Sequence, residues 1–527
     1  MIREFRTDDP DFERKHAEFV KEATSTQGHY IKEVLEDMEQ NGDAYCEDVD
    51  ELYHLCLREK PRLSRAQFKL DLRFLLKRGD LHREGRRLYR SNTWETECSV
   101  AQWLAAVLED CAVTGKPLPE PLTCGGVALN RQQREAVELA LCHRISVILG
   151  GAGSGKTTLI RALSDCFPKK RNIILSAPTG KAARNLKERT AQETRTVHSA
   201  VGMLRYDDDG NEISWRDMEL IVIDEASMLS LSLLDRVLQK NKARDCRIVL
   251  LGDPNQLQAI GAGNVLPDLV RLGVPTVRLE QQFRQQENAE ALRYNVTHFP
   301  QLSAMDELRF DDSCQLIEAE DAEIAGVICR EATRWRKQGE EVQVLSPIYG
   351  SLPFSVDSLN RALQAAWNPS SCYNANCSPY YLPFYERFHP GDRVIITRNN
   401  KRMDIWNGDV GTLNFADPRV EVTLSGDRSA SWPMVYPPDE LELAYALTVH
   451  KSQGSQYGTV ILPVSLLTAN MLYRNLFYTA ISRSAQRVIL VGSRMAVDTA
   501  MKRHASQRRS TLVWRTNTLR YRAQQSA

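Results

Sequence analysis

Short runs rich in apolar residues recur through the middle of the chain, and each is followed within three residues by glycine or a polar residue. These runs cover residues 145–149, 172–176, 220–223, 247–251, 342–345 and 487–491. Runs of about five such residues, separated by segments with a helical pattern, are typical of strands buried on both faces of a parallel sheet. The pattern therefore predicts an α/β fold with two sets of parallel strands.

The N-terminal part of the chain has the pattern of amphipathic helices. Residues 1–62 are predicted to be helical, with a start near Asp8-Asp9-Pro10 and a stop at Asn41-Gly42. Asp48 or Asp50 is a candidate cap for the helix that follows, because aspartate accepts hydrogen bonds from the free N–H groups of a first turn.

Residues 63–122 predict a winged-helix-like segment that ends in a linker. Ser64 precedes a helical run, and a charged ribbon follows with its turn at Glu84-Gly85. A helix before a short ribbon is the outline of a winged helix. The basic residues of the ribbon are suited to a nucleic-acid backbone, but the favoured interpretation is a solvated face that packs on a neighbouring domain. Prolines at residues 117, 119 and 121 indicate the linker.

A different pattern interrupts the second set of parallel strands. Residues 385–438 contain short alternating strands with Asn-Gly and Asp-Pro turns, which predict a small inserted β-barrel. The predicted units are therefore residues 126–290 for the first α/β domain, and 291–384 with 439–500 for the second.

The C-terminal residues 501–527 are basic. After Thr499 the chain has seven Lys and Arg residues and no Asp or Glu. A frayed, solvated terminus is the favoured interpretation, and contact with nucleic acid is the alternative.

Composition limits the classes of protein to consider. Lys and Arg together number 68, as do Asp and Glu, so any nucleic-acid binding must come from local basic grooves. No apolar run approaches the ~20 residues of a membrane span, and the N-terminus has no signal-peptide pattern.

The twelve cysteines include no CxxC pair, which favours reduced thiols in a cytoplasmic protein. Cys372 and Cys377 are the one close pair, and no structural zinc site is predicted from them.

A glycine-rich segment after the first strand fits the phosphate-binding pattern GxxxxGK[ST]. Its residues are Gly150, Gly151, Ala152, Gly153, Ser154, Gly155, Lys156, Thr157 and Thr158. Such a loop between a strand and a helix wraps a triphosphate with backbone N–H groups. Lys156 is expected to reach the β- and γ-phosphates, and the Thr157 hydroxyl to face Mg²⁺.

Two carboxylates follow the strand at residues 220–223. Asp224 at a strand end can hold Mg²⁺, and Glu225 beside it can orient and deprotonate the attacking water. Gln256, after the next strand, is placed to sense the γ-phosphate. Gln133, ahead of the glycine-rich loop, can pair with an adenine edge through its amide.

Two arginines and several small polar groups complete the candidate site. Arg284 follows a short predicted strand, and Arg483 precedes the strand at residues 487–491; a guanidinium at either place can stabilise charge on a transferring phosphate. Thr179 stands at a strand-to-helix turn, where hydroxyl groups suit single-stranded phosphates. His198 follows shortly after, although a lone histidine is more often a core or surface residue.

Nine segments in this order resemble the helicase motifs of superfamily 1, and in detail those of the RecD-like DNA helicases. They are GGAGSGKTT, APTGKAA, TVHSAVGML, VIDEASML, LGDPNQLQAIGAGNVL, LEQQFRQ, VLSPIYG, LTVHKSQGSQY and YTAISR. That family includes the exodeoxyribonuclease V alpha subunit and its stand-alone relatives. The resemblance covers residues 127–495, about 70% of the chain.

The resemblance implies two RecA-like P-loop motor domains with ATP and Mg²⁺ between them, and movement from 5′ to 3′ along single-stranded DNA. It assigns adenine recognition to Gln133, phosphate and metal to Lys156, Thr157 and Asp224, the base to Glu225 and the sensor to Gln256. By the same resemblance Arg284 and Arg483 are arginine fingers, and the residues lining the DNA path are Thr179, His198, Thr448 and His450. The insertion is expected to be an SH3-like barrel, and residues 203–216 a small strand-separating hairpin.

Two positions depart from the family pattern. Ala152 replaces the common proline of the loop, and Gln456 stands where relatives usually carry glutamate after QGS. Because backbone amides bind the phosphates, Ala152 is expected to be neutral. The loss of charge at Gln456 is expected to change a contact to the nucleotide sugar or to DNA.

The predicted function is an ATP-dependent DNA helicase or translocase in DNA repair, recombination or defence. Its expected partners are single-stranded DNA, duplex junctions and a protein of a nuclease or defence complex, with no membrane. The main alternative is a DNA-stimulated ATPase subunit or switch of such a complex that unwinds nothing itself. The helicase part of a conjugative relaxase is a second alternative, but the first 125 residues lack a three-histidine cluster and a tyrosine-nucleophile constellation.

Overall fold

The computed structural model describes most of the chain. The described residues are 27–109, 123–124, 127–167, 172–202, 205–206, 212–213, 215–241, 246–281, 289–369, 382–400, 402–416, 419–424, 428–433 and 436–526. The predicted helix start at Asp8-Asp9-Pro10, the linker at residues 116–121, the pair Cys372 and Cys377, and Arg284 lie outside these residues.

The described strands are numbered here in chain order. They are β1 (Leu81–Glu84), β2 (Arg87–Arg90), β3 (Thr123–Cys124), β4 (Val127–Ala128), β5 (Ile145–Gly150), β6 (Ile173–Ala177), β7 (Thr194–Thr196), β8 (Arg205–Tyr206), β9 (Glu212–Ile213), β10 (Leu220–Ile223), β11 (Arg247–Gly252), β12 (Thr276–Leu279), β13 (Cys314–Glu318), β14 (Val342–Ser346), β15 (Arg393–Ile396), β16 (Val410–Ala416), β17 (Arg419–Leu424), β18 (Ser429–Pro433), β19 (Leu441–Leu443), β20 (Ala446–Thr448), β21 (Tyr457–Val464) and β22 (Ser484–Gly492).

The described α-helices connect and cover these strands. Their bounds are His29–Gln40, Val49–Glu59, Arg65–Arg78, Ser91–Glu109, Arg131–Cys142, Lys156–Asp165, Gly180–Thr190, Val197–Gly202, Leu231–Lys240, Val265–Arg271, Glu290–His298, Ile324–Lys337, Val356–Trp367, Leu382–Arg387, Arg474–Ile481, Arg494–Lys502 and Leu512–Ser526.

The first sheet is parallel and has the order β12-β5-β11-β10-β6-β7 among its described strands. One face of its central strands carries Val147 and Ile221, and these pack with the helix Leu231–Lys240. The opposite face carries Ile148 and Val222, which pack with the helix Lys156–Asp165. Because successive side chains of a strand point to opposite faces, covering both faces requires the uninterrupted apolar runs that the sequence contains. The predicted strands of this unit are confirmed.

The second sheet is also parallel, with the order β13-β22-β21-β14-β20. Its edge strand β13 was not predicted, because its partly exposed CQLIE sequence includes polar Gln315 and Glu318 and does not form a continuous apolar run. Two parallel sheets with helices on their faces are the architecture of a RecA-like helicase fold, so this part of the predicted fold class is confirmed.

An antiparallel five-stranded sheet is inserted in the second unit, with the order β18-β17-β16-β15-β19. The expected end of the insertion at residue 438 is wrong. β19 pairs with β15, with Ile395 opposite Glu442, so the insertion continues to Leu443. The pairing partner lies more than forty residues away along the chain, and local turn signals therefore could not place this boundary.

The N-terminal part contains the predicted helices and ribbon. Asp48 caps its helix by accepting hydrogen bonds from the N–H groups of Asp50 and Glu51, and Ser64 caps the next helix. The ribbon of β1 and β2 turns at Gly85, whose φ of +61° suits glycine. Within the predicted hairpin at residues 203–216, β8 pairs antiparallel with β9.

The C-terminal residues are docked, so the expectation of a frayed and solvated terminus is wrong. The helix Leu512–Ser526 packs along the helix Ser91–Glu109, and Leu512 is buried in the core of the first sheet. Arg515 forms a two-point ion pair with Glu84, with both N–O distances 2.7 Å, and a third contact of 3.1 Å with buried Glu97. Arg509 and Arg515 of this segment thus pair with carboxylates of the N-terminal part, which composition alone could not reveal.

The described helices include none that is both long and apolar enough to cross a membrane.

Candidate functional site

The glycine-rich loop joins β5 to the helix Lys156–Asp165. Gly153 and Gly155 have φ values of +84° and +83°, a backbone region that favours glycine. Ser154 donates a hydrogen bond of 3.0 Å from its hydroxyl to the carbonyl oxygen of Gly151, which closes the loop on itself. The glycines therefore shape a concave loop at a helix N-terminus, which is a favourable site for an anion.

Lys156 lies inside the curve of this loop. Its Nζ donates to the carbonyl oxygens of Gly150 at 2.6 Å and Gly151 at 2.9 Å. The ammonium group is therefore held at the mouth of the loop, where the phosphates of a bound nucleotide would meet it.

A cavity of about 500 Å³ opens above the loop and is bounded by residues of both parallel-sheet units. The predicted residues in its wall are Ala152, Gly153, Ser154, Gly155, Lys156, Thr157, Thr158, Asp224, Glu225, Gln256 and Arg483. Arg161, Arg189 and Gln456 also line it. No role was predicted for the two additional arginines, because single arginines on helices carry no motif.

Asp224 and Glu225 are adjacent in the wall of the cavity. Burial, and then repulsion from Glu225, raise the pKa of Asp224 to about 6, against the attraction of Lys156. Glu225 has a φ of +52°, and a left-handed backbone at a residue with a side chain costs about 1–2 kcal/mol. Backbone strain of this kind is concentrated at functional sites. The two adjacent carboxylates therefore favour binding of a cation at this place.

Gln256 is buried on the loop after β11. Its Nε2 donates to the carboxylate of Asp253 at 3.4 Å, and the hydroxyl of Tyr478 donates to the same carboxylate at 2.8 Å. The backbone N–H of Leu257 donates to the hydroxyl of Thr479 at 3.0 Å. Tyr478 and Thr479 belong to the helix Arg474–Ile481 of the second unit, so the predicted sensor loop bridges the two units.

Arg483 is 2% exposed, although its side chain carries a full charge. Its guanidinium donates to the carbonyl oxygen of Thr479 at 3.2 Å and to the hydroxyl of Ser482 at 3.3 Å. Among the described residues, no carboxylate lies within ion-pair distance of it. Because buried charges are normally paired, a guanidinium at the wall of a phosphate-loop cavity favours binding of an anion there.

Gln133 lies outside the wall of this cavity. Its side-chain Oε1 accepts a hydrogen bond of 3.1 Å from the N–H of Asn130, while the Asn130 side chain accepts one from the Gln133 N–H at 2.8 Å. This reciprocal arrangement is a capping box, and it occupies the glutamine oxygen at the start of the helix Arg131–Cys142. Arg284 lies outside the described residues.

The four residues predicted for the DNA path lie on segments at the carboxyl ends of strands. Thr179 and Thr448 use their hydroxyls to accept N–H hydrogen bonds from Ala182 at 3.2 Å and from Lys451 at 3.1 Å. His198 and His450 are exposed.

The segments that follow Thr179 and Thr448 are in contact. The side-chain amide of Asn185 donates to the carbonyl oxygen of Gly454, and Gly454 also packs on Ala182. The structure thus brings the threonine-bearing ends of β6 and β20 into one region.

The inserted sheet also reaches this region. Trp406 packs on Gly180, where an added Cβ would lie 3.1 Å from the Trp406 Cβ. Arg184 forms an ion pair with Asp409 of the insertion. Both contacts fall on the helix Gly180–Thr190, which begins beside Thr179.

Comparison with known proteins gives two matching families. The model of the AAA domain family matches residues 128–305, and that of the UvrD-like helicase C-terminal domain matches residues 443–491. These matches fall on the first and second parallel-sheet units respectively.

Several relatives are similar over most of this chain. It is 32% identical over 398 residues to the ATP-dependent RecD2 DNA helicase of Deinococcus radiodurans, a match that covers 73% of this chain and 52% of the relative. It is 28% identical over 463 residues to the RecBCD enzyme subunit RecD of Mycolicibacterium smegmatis, covering 79% and 80%. The chain thus spans about half the length of the first relative. The predicted relationship to the RecD-like proteins is confirmed.

One of the solved structures that match this chain is that of the Pif1 helicase from Bacteroides in complex with ADP-AlF3 and single-stranded DNA. It is 20% identical to this chain, with a TM-score of 0.41, and the match covers 76% of this chain and 98% of the Pif1 chain.

Proposed function

We propose that this chain, which belongs to the RecD-like helicases of superfamily 1, is an ATP-dependent DNA helicase that moves from 5′ to 3′ along single-stranded DNA. The observation that carries the proposal is the cavity of about 500 Å³ in which buried Arg483 of the second unit faces the phosphate loop of the first. Such a cleft can couple closure around ATP to a relative movement of the two units. The polarity follows from the family relationship.

The nucleotide proposed for this cavity is ATP with Mg²⁺. Phosphates would contact Lys156 and the loop N–H groups, and the metal would be held by the Thr157 hydroxyl and by Asp224. The donor set fits the ion, because Mg²⁺ prefers oxygen ligands and both Thr157 and Asp224 line the cavity beside the phosphate loop. The bound metal would neutralise charge on the phosphates. Glu225 would orient the attacking water and accept its proton.

Arg483 is proposed as an arginine finger and Gln256 as the γ-phosphate sensor. The link from Gln256 through Asp253 to Tyr478 gives the sensor a direct connection with the second unit. Arg284 is proposed as the second finger by family relationship. Gln133 is proposed to recognise adenine, since its Oε1 keeps a second lone pair beside the bond from the Asn130 N–H and its Nε2 can donate.

The DNA path is proposed to run over the region where the two units and the insertion meet. Thr179 and Thr448 would contact phosphates, and exposed His198 and His450 would contact sugars or bases. The contacts of Trp406 and Asp409 with the helix Gly180–Thr190 support a role for the insertion beside the strand. We propose that this antiparallel sheet is an SH3-like barrel and that the hairpin at residues 203–216 separates the strands.

The proposed domains follow from these roles. Residues 126–290 would form the first motor domain, and residues 291–384 with the segment after the insertion the second. The N-terminal ribbon and its helices are proposed to be winged-helix-like. Single-stranded DNA and duplex junctions are the proposed partners, together with a protein of a nuclease or defence complex.

The test combines ATP hydrolysis with strand separation. Steady-state hydrolysis is measured with and without oligo(dT), and unwinding is measured on duplexes with either a 5′ or a 3′ tail, with Lys156→Ala as the inactive control. Stimulated hydrolysis together with opening of the 5′-tailed duplex alone is the expected result. Hydrolysis without opening of either duplex would assign the chain to a DNA-stimulated subunit or switch. Absence of any stimulation would overturn the proposal.

A further inference from the structure

Three segments that are far apart in the sequence meet behind the sensor loop. They are residues 40–44 of the N-terminal part, residues 259–263 after the sensor, and residues 508–509 of the C-terminal segment. The N–H of Gly263 donates to the carbonyl oxygen of Gly42 at 2.9 Å. We call this meeting point the clasp.

Arg508 is the central side chain of the clasp. Its Nη1 donates to the carbonyl oxygens of Gly261 at 3.3 Å and Gly263 at 3.1 Å, and its Nη2 donates to the carbonyl oxygen of Ala259. No carboxylate among the described residues forms an ion pair with it. The guanidinium therefore directs its donors to the backbone of one loop, which fixes the shape of that loop.

The backbone of this loop needs an external constraint. Gly261 and Gly263 have φ values of +113° and +94°, and glycine makes a free loop highly mobile. On the other side of the guanidinium, Gly42 has a φ of +105°, and an added Cβ there would collide with the Arg508 side chain. Gly42 thus provides the space in which Arg508 lies.

The clasp lies close to the sensor. Gln256, Ala259 and Arg508 line the same small cavity of about 10 Å³, so the arginine and the glutamine face one enclosed space. The neighbouring residue Leu257 is held from the opposite side, because its carbonyl oxygen accepts a hydrogen bond of 3.4 Å from the Gln453 amide of the second unit. The sensor is therefore held between the second motor unit and the clasp.

We propose that Arg508 is a positioning residue that holds Gln256 in its hydrolysis-competent place through the loop at residues 259–263. The proposal rests on the proposed function of Gln256 as sensor and extends it to the C-terminal segment. Without Arg508 the glycine loop would sample other conformations, and Gln256 would spend less time against the γ-phosphate. Binding of ATP, which depends on the phosphate loop, would be little affected.

The test compares Arg508→Ala with its neighbour Arg509→Ala in the full chain. Arg509 forms a two-point ion pair with Glu51 at 2.7 and 2.8 Å, and its side chain donates no hydrogen bond to the glycine loop. The control therefore weakens docking of the same segment without releasing the sensor. We expect Arg508→Ala to lower kcat for ATP about tenfold with a KM change of less than about twofold, since misplacement of a supporting group affects turnover more than binding. Arg509→Ala should lower Tm and keep kcat.

Two further variants and one physical measurement sharpen the test. Gly42→Ala should displace the guanidinium and lower kcat as Arg508→Ala does. Arg508→Lys, which keeps a donor at this position, should have a kcat between those of Arg508→Ala and the wild-type protein. Hydrogen exchange of the peptide at residues 256–264 should become faster in Arg508→Ala and stay unchanged in Arg509→Ala. This exchange measurement does not depend on DNA.

The outcomes separate the two proposals. If the wild-type protein hydrolyses ATP without stimulation by oligo(dT), the helicase proposal fails, and basal kcat with hydrogen exchange still decides the role of Arg508. Wild-type kcat in Arg508→Ala, or an equal loss of kcat in Arg509→Ala, would overturn the positioning role.

Discussion

The hydroxyl of Tyr478 donates a hydrogen bond of 2.8 Å to the Asp253 carboxylate, and this bond crosses from one parallel-sheet unit to the other. Burial, together with the charge of Asp253, raises the pKa of Tyr478 well above its ordinary value, so the phenol stays protonated and remains a donor. The same carboxylate accepts from Gln256. The buried Asp253 carboxylate therefore links the sensor loop of the first unit to the second unit.

Replacing Tyr478 by Phe should test this bridge. The loss of a buried hydrogen bond to a carboxylate is expected to lower the free energy of unfolding by about 1.5–3 kcal/mol and to reduce DNA-stimulated kcat, because Asp253 and Gln256 lose their common anchor. Urea denaturation and steady-state hydrolysis measure the two effects. Tyr521→Phe is the matched control, since Tyr521 is 62% exposed. Equal behaviour of the two variants would exclude the bridge.

Replacing Arg483 by Ala should reduce kcat by about 10³-fold or more, the range for an arginine that stabilises phosphoryl transfer. The KM for ATP should change little, because the phosphate loop is intact. Arg494→Ala is a suitable control, as its side chain is 56% exposed at the start of a neighbouring helix. A variant Arg483→Ala that retained more than about a tenth of wild-type kcat would remove Arg483 from the proposed mechanism.

The raised pKa of Asp224 predicts a pH effect on the nucleotide-free protein. Because the folded-state pKa of about 6 is above the ordinary value of 3.8, the protonated carboxyl stabilises the fold below pH 4, and this contribution is lost as pH rises through 6. Asp224→Asn should flatten the stability curve between pH 4 and 6, as measured by denaturation at fixed ionic strength.

The Asp224 carboxyl also predicts how the affinity for Mg²⁺ depends on pH. Affinity for Mg²⁺ with a fluorescent ADP analogue should fall as pH drops below about 6, since the metal needs the deprotonated carboxylate. In Asp224→Asn the affinity should be weak and should vary less with pH. An unchanged pH profile in the variant would assign the effect to another group.

The ion pairs of Arg515 predict strong dependence of stability on the C-terminal helix. Arg515→Ala leaves Glu97, which is fully buried, without its charged partner. Breaking such a buried ion pair lowers the free energy of unfolding by about 3–5 kcal/mol. Urea denaturation should detect the change, and trypsin should cleave the released C-terminal segment faster. Lys502→Ala, which removes an exposed pair with Asp498, should change stability by less than about 0.5 kcal/mol.

Much of the nucleotide site could be predicted from the sequence, because its residues stand in fixed spacing next to strands with strong apolar patterns. Lys156, Asp224, Gln256 and Arg483 all line the same cavity, as the motif order implies. At Gln133 the role suggested by the motif differs from the role that the local structure shows. Its motif position suggests adenine, yet locally its amide completes a helix cap, and a cap forms without any ligand.

The contacts between units could not be predicted in this way. Tyr478 and Asp253 are 225 positions apart, and nothing in the local pattern of either segment indicates the other. The docking of residues 508–515 depends on carboxylates near the opposite end of the chain. Local periodicity gives strands and helices, whereas such pairs arise only when the whole chain is folded.

The position of Leu512 has a consequence for the order of events during synthesis. This side chain completes an apolar core that also contains Val100 of the N-terminal part and Leu234 of the first motor unit. Synthesis must therefore proceed past Leu512 before that core can close, and a nascent polypeptide that still lacks this residue would expose the apolar side chains of the core to other chains. Slow closure of contacts between distant residues favours aggregation, so a chaperone or a fast final docking step would set the yield of the native protein.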